Sequence, residues 1–134
     1  MSLILDAGAL IAYERGDRTV LAFLMSAVDA EDSVKTSTGV VAQVWRDGTR
    51  QVALGRLLRG IEEIALTPQR ARVIGELLRQ AGTADVVDAA LIELAHDGDE
   101  ILTDDPDDLH RLANHSGKTL MITPLSKRRP ARKR

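Results

Sequence analysis

The sequence predicts an α/β domain: a mostly parallel sheet with helices packed over it. Short apolar runs of strand length alternate with longer segments of helical apolar spacing, the pattern of βα units. The 134 residues fit one domain and leave no room for a second. No apolar run approaches the ~18 residues of a membrane span, and no charged-then-apolar leader opens the chain.

The elements are justified in order. Residues 3–5 read as a strand, with Asp6 directly after it, able to cap a helix from Ala7 onward. Val20, Leu21, Leu24, Met25 and Val28 recur at i, i+3, i+4 spacing and predict a helix, its apolar stripe turned mainly to the core. Ser37 or Thr38 caps a helix running through Val44. A further helical segment carries Val52, Leu54, Leu57 and Leu58 on its apolar side. Residues 61–66 form the next strand. Thr67-Pro68 is an N-cap followed by Pro at the first helical position, opening the helix of Val73, Ile74, Leu77 and Leu78. Gly82-Thr83 leads into a helix at Asp85 carrying Val86, Val87, Ala90, Leu91, Leu94 and Ala95, with Gly98 as its stop. Residues 100–103 and 119–123 supply the remaining strands. Residues 126–134 (SKRRPARKR), Lys/Arg-rich and poor in apolar side chains, read as a disordered tail, so the domain is residues 1–125.

Composition narrows the function classes. With no cysteine, disulfides, thiolate metal sites and cysteine nucleophiles are excluded, which fits a reducing compartment such as the cytoplasm. Tyr13, Phe23 and Trp45 are the only aromatics, too few for a single-strand-binding stacking platform. The net charge of -2 hides an asymmetry: the tail holds six of the 18 basic residues and no acid, so residues 1–125 carry 12 − 20 = -8. Such a body has no domain-wide electrostatic footprint for nucleic acid. Local footprints are available in Arg46, Arg50, Arg56 and Arg59, alternatively a solvated helix face, and in the tail, which could grip phosphates in a salt-dependent way.

Ligands of open parallel sheets bind beyond the carboxyl ends of the strands. Asp6 follows one strand, and Asp104 and Asp105 follow another, so both deliver carboxylates to the same edge. Asp85 and Asp88, three apart at a helix start, share one face. Each acid taken singly has an ordinary role as a cap, first-turn acid or solvated loop residue. Together they repel one another unless a cation neutralises them, and all-oxygen sites favour Mg²⁺ or Mn²⁺. Such ions activate water and stabilise a phosphoryl transition state, which gives a metal-dependent phosphodiester hydrolase. No EF-hand spacing, GxxxxGK[ST], GxGxxG or GxSxG is present. His96, His110 and His115 lack zinc-ligand spacing and read as surface or capping residues.

Asp6 in LILDAGALIAYE, Asp88 in VVDAALIELA and Asp105 in ILTDDPDDLHRLA, in that order and spacing, resemble the PIN-domain ribonucleases, and within them the VapC-type toxins of bacterial toxin–antitoxin pairs. The resemblance spans residues 2 to about 124. It implies a three-layer α/β/α sandwich, a homodimer, Mg²⁺- or Mn²⁺-dependent endonuclease action on RNA, and restraint by a cognate VapB-type antitoxin. Asp6, Asp88 and Asp105 then match family acids as catalytic residues and metal ligands. Asp85 looks toward the same pocket, and Thr103 stands at its wall, able to hydrogen-bond a carboxylate. Asp104 and Asp108 cap the following helix, with Asp108 also within reach of the metal through water.

The chain departs from the family at VVAQVWRDG, where Gln43 stands in place of a Glu. Gln offers a neutral carbonyl oxygen but neither charge nor a base. Either Asp47, four residues on along the same helical face, or Asp85 supplies the missing charge, or catalysis is weakened. The rival reading is therefore a PIN-like protein of weakened or lost catalysis that acts as an RNA- or protein-binding module. A phosphatase of the aspartyl-phosphate kind is disfavoured, because Asp6-Ala7-Gly8 lacks the D-x-D such enzymes carry.

Overall fold

The computed structural model describes residues 1–125; the basic tail lies outside the described residues. The order is β1 (Ser2–Leu5), α1 (Ala7–Glu14), α2 (Arg18–Asp29), β2 (Ser33–Ser37), α3 (Thr38–Val44), α4 (Val52–Arg59), β3 (Glu62–Ile64), α5 (Pro68–Ala81), α6 (Val86–Leu94), β4 (Glu100–Thr103), α7 (Pro106–Ser116) and β5 (Met121–Pro124). The five strands form one parallel sheet in the order β3-β2-β1-β4-β5. Right-handed crossovers then fix the layers. The chain steps from β1 outward to β2 and β3 beneath α1–α4, which pack together. It returns past β1 to β4 and β5 beneath α5–α7, which pack together on the other side. The predicted three-layer α/β/α sandwich is the observed architecture.

The central strands explain the arrangement. Ile4, Leu5, Ile101 and Leu102 are fully buried, as befits strands covered on both faces. Leu10, Val20, Val40, Leu54, Leu91, Ile92, Leu109 and Leu112 fill the two helix–sheet interfaces. The caps fall where the side chains allow. Asp17, Ser37, Thr67 and Asp85 each accept a hydrogen bond from a first-turn backbone N–H, and Pro68 stands at the start of α5.

Several expectations are corrected. β2 is a strand that apolar runs do not reveal, since SVKTS has one aliphatic residue; its β-branched Val34 and Thr36 and its parallel pairing with β1 hold it. Helix α6 ends at Leu94, not at Gly98. The Lys118 ammonium donates to the carbonyls of Ile92, Glu93 and Ala95 at 2.7–2.9 Å, and Gly98 makes the turn into β4 with a φ of 90°. On α2 only Val20, Leu24 and Ala27 are buried. Leu21, Met25 and Val28 are exposed, so three of the five residues of the expected core stripe face outward. On α4, Leu54 and Leu58 are buried while Val52 is exposed.

Candidate acidic site at the carboxyl edge of the sheet

The strand order reverses direction between β1 and β4, and in open α/β sheets that switch point opens a crevice beyond the carboxyl ends. Asp6 and Thr103 stand at this point. Leu5 pairs with Leu102, and the Asp6 N–H extends the ladder by donating to the Leu102 carbonyl at 3.2 Å. Helix α6 runs back toward the amino edge, which leaves its first turn, with Asp85 and Asp88, at the carboxyl edge. Helix α7 departs from the same edge, beginning with Asp105, Asp107 and Asp108.

Asp6 combines two roles that sequence leaves as alternatives. Its carboxylate caps α1 by accepting from the Ala9 N–H at 2.9 Å, and it is buried among the acids. Burial raises its pKa; hydrogen bonding from the Thr103 hydroxyl and the Ala9 N–H holds it down, and the Asp104 charge pushes it up again. Thr103 is fully buried, and its hydroxyl also accepts from the Asp105 N–H at 2.9 Å, so it fastens the turn that carries Asp105.

Asp88 is the most perturbed acid. Half-buried, it is pushed up to about 7, first by desolvation and then by the charges of Asp85, Asp108, Asp105 and Asp6. Asp85 occupies the N-cap of α6, accepts from the Asp88 N–H at 3.0 Å and is exposed. Asp105, also exposed, is raised by desolvation and by Asp108, Asp104, Asp107 and Asp85. Asp6, Asp85, Asp88, Asp105 and Asp108 thus repel one another across one edge. Among the described residues, none of the five forms an ion pair.

An uncompensated carboxylate cluster at a switch point suits a hard divalent cation by its donor chemistry. The acids stand at the range of mutual repulsion rather than of shared coordination: among the described residues, no three His, Asp or Glu side chains close into a ready metal cage.

Four other expectations meet the structure here. Asp104 does not cap α7. The N-cap position is Asp105, which makes no side-chain capping bond, and the Asp104 carboxylate turns back against Gly8 of α1. Asp108 is in the first turn of α7 rather than at its cap. Asp47 does not share a helical face with Gln43, because α3 ends at Val44 and the chain is extended at Trp45 (ψ 130°). Asp47 instead accepts from the Thr49 N–H and hydroxyl and lies 3.7 Å from Arg50. Gln43 itself is exposed on α3, one turn beyond Gly39, where a β-carbon would stand 3.5 Å from Val87 of α6.

Two contributors escaped the sequence reading. Gly8 makes room for Asp104, and Lys118 fixes the far end of the helix that bears Asp88. Neither carries a local signal, since each acts on a residue more than 20 positions away.

No family model matches the sequence, and no curated protein does. Among solved structures, the chain is similar to one in VapBC2 from Rickettsia felis bound to a DNA fragment from their promoter. The match has a TM-score of 0.69 at 17% identity and covers 91% of this chain and 98% of that one. With the sheet order, the three layers and the acids at the switch point, that likeness identifies the fold of this chain as PIN-like.

Proposed function

We propose that the chain is a Mg²⁺- or Mn²⁺-dependent endoribonuclease, the toxin of a type II toxin–antitoxin pair. The observation that carries the reading is the set of mutually repelling carboxylates at the β1/β4 switch point, with Asp88 held at about 7. The structural likeness to VapBC2 supports it.

In this reading Asp6 and Asp105 hold the cation, with Asp88 as a direct or water-mediated ligand. When bound, the cation would polarise the scissile phosphate and lower the pKa of an attacking water. Thr103 orients the Asp6 carboxylate and fixes the turn of Asp105. A carboxylate outside the cation's ligand set, Asp85 or Asp108, would be the group to take up a proton from an attacking water. RNA is the substrate, and the cytoplasm is where toxin and substrate meet. The protein partners are a second copy of the chain and a VapB-type antitoxin. Leu21, Met25 and Val28, exposed on one side of α2, are suited to a helical partner segment.

The second reading, a binding module of weakened catalysis, is favoured by Gln43 and by the open spacing of the acids. Cleavage of labelled structured RNA with Mn²⁺, with chelator, and by Asp6→Asn separates the two. Metal-dependent cleavage absent from the variant supports the nuclease; no cleavage by inhibitor-free wild type supports the binding module.

A further inference from the structure

The Trp45 indole is half-exposed at the end of α3, and its six-membered ring lies against two glycines. A β-carbon at Gly48 would stand 2.9 Å from Cζ2, and one at Gly55 would stand 3.5 Å from Cη2. The Arg59 Nη1 reaches within 3.8 Å of that same Gly55 position, beside the ring. Trp45, Gly55, Arg59, Val41, Leu58 and Glu63 line an open cavity of about 390 Å³.

The turn bearing the indole is fastened from below. The Gln51 Oε1 accepts from the Arg46 and Asp47 N–H groups at 2.7 and 2.9 Å, and its Nε2 donates to the Val44 carbonyl at 2.9 Å and to Glu14 at 3.2 Å. The segment that carries the indole is basic, and the Arg46 Nη1 donates to the Trp45 carbonyl at 2.6 Å. Residues 45–60 hold Arg46, Arg50, Arg56 and Arg59 against Asp47 alone, 4 − 1 = +3, in a body whose residues 1–125 carry -8. Glu63 also lines the cavity, and Glu14 meets Gln51 beneath the turn.

Although three aromatics are too few for an extended stacking platform, we infer that Trp45 by itself stacks one unstacked base of single-stranded RNA, with Arg46, Arg56 and Arg59 holding the flanking phosphates. The inference rests on the reading of RNA as substrate and gives it a docking point at the far end of α3 from the acidic edge. A ring held on glycine backbone, and kept from collapse by Gln51, presents a rigid π-face to a base. Clustered guanidiniums in an acidic body select a polyanion over a neutral protein surface. Helix α3 begins at the carboxyl edge with Ser37 as its cap, and its seven residues set Trp45 ~10 Å along the helix from that edge.

Trp45 is the one tryptophan of the chain, so its fluorescence reads the platform directly. The experiment titrates a mixed-sequence single-stranded RNA oligonucleotide into the full chain in chelator, so that no cleavage intervenes, and follows emission alongside anisotropy of labelled RNA. Saturable quenching is expected, weaker with duplex RNA. Trp45→Phe is expected to stay within about threefold of wild type, while Trp45→Ala and Arg59→Ala each bind roughly 10-fold more weakly. Binding by anisotropy without quenching would assign the RNA to the basic tail and overturn the platform. Quenching by a protein partner and none by RNA would make this a protein-docking face and overturn it too. Should Trp45→Ala fail to fold, wild-type quenching and Arg59→Ala decide the matter. A chain that quenches but never cleaves with Mn²⁺ defeats the nuclease reading and leaves the platform standing; one that cleaves without quenching does the reverse.

Discussion

The Asp104 carboxylate occupies the space that a β-carbon at Gly8 would fill. This contact locks the first helix against the turn after β4 and so joins the two loops that deliver Asp6 and Asp105. Gly8→Ala is expected to lower stability by about 1 kcal/mol, because the exposed Asp104 carboxylate has to swing aside to admit the methyl group. Asp104→Ala removes the three nearest atoms, so the double variant should recover most of the loss. A double-mutant cycle by urea denaturation measures the coupling, and simple additivity of the two losses would refute the contact.

Asp6 separates fold from chemistry by the choice of substitution. Asn caps a helix about as well as Asp, so Asp6→Asn should melt within about 0.5 kcal/mol of wild type while losing metal-dependent cleavage. Asp6→Ala gives up the bond to the Ala9 N–H as well and should lose about 1 kcal/mol. Thermal melts of both variants check the cap; cleavage assays on the same preparations check the chemistry.

Asp88 makes the metal-free chain pH-sensitive. Its folded pKa of about 7 exceeds the ordinary 3.8, so the native state binds more protons than the unfolded one between those values. The stability it contributes is therefore fully present below about pH 4 and is lost as pH rises to about 7. Asp88→Asn should remove this dependence and stabilise the chelator-treated protein at pH 8 by about 1 kcal/mol, solvent screening on its half-exposed side allowed for. A cation bound as proposed would displace the same proton, so the apparent affinity for Mn²⁺ should climb with pH to about 7 and then level. Denaturation and calorimetric titration across pH 5–9 test both, and a flat Mn²⁺ profile would remove Asp88 from the site.

The parts of this molecule that obey local rules are legible in its sequence, and those made by distant contacts are not. Thr67-Pro68, Ser37 and Asp85 announce their helices because a cap is a contact within three residues. The acids are legible because strand ends and first turns converge by topology alone. β2 is hidden because it has a single aliphatic residue, and Val34, Thr36 and pairing between β1 and β3 hold it instead of an apolar run. Asp47 misleads because spacing extends the Gln43 helix one turn past Val44, where the Gln51 amide instead closes a loop. Leu21, Met25 and Val28 show that helical periodicity marks an apolar face without saying what covers it.

Lys118 should govern stability without entering the chemistry. Its ammonium satisfies three carbonyls at the end of α6, and burial lowers its pKa while Glu93 and Asp97 raise it. Lys118→Met keeps the aliphatic stem and strands those carbonyls. A loss of about 1–3 kcal/mol is expected, with a fall in Tm of several degrees in calorimetry. Cleavage per folded molecule at low temperature should stay near wild type, since the helix end lies at the opposite edge from Asp88.

Gln43 offers a gain-of-function test. It stands on α3 one turn beyond Gly39, on the side of that helix nearest Val87, the neighbour of Asp88. A carboxylate there would add a fourth negative charge to Asp6, Asp88 and Asp105, and hard divalent cations respond to charge count as well as to geometry. Asp47 cannot stand in, because the chain leaves the helix after Val44, its Oδ1 accepts from Thr49 and its Oδ2 faces Arg50. Gln43→Glu is therefore expected to tighten Mn²⁺ binding roughly 10-fold, a gain of about 1.4 kcal/mol, and to raise RNA cleavage at limiting Mn²⁺. Because Gln43 is exposed and the two side chains are nearly isosteric, stability should hold within about 0.5 kcal/mol, so a change in cleavage reports on the site. Paired titrations of Mn²⁺ against cleavage in wild type and variant decide it. Unchanged affinity would mean that Asp85 or Asp108 already completes the charge at this edge.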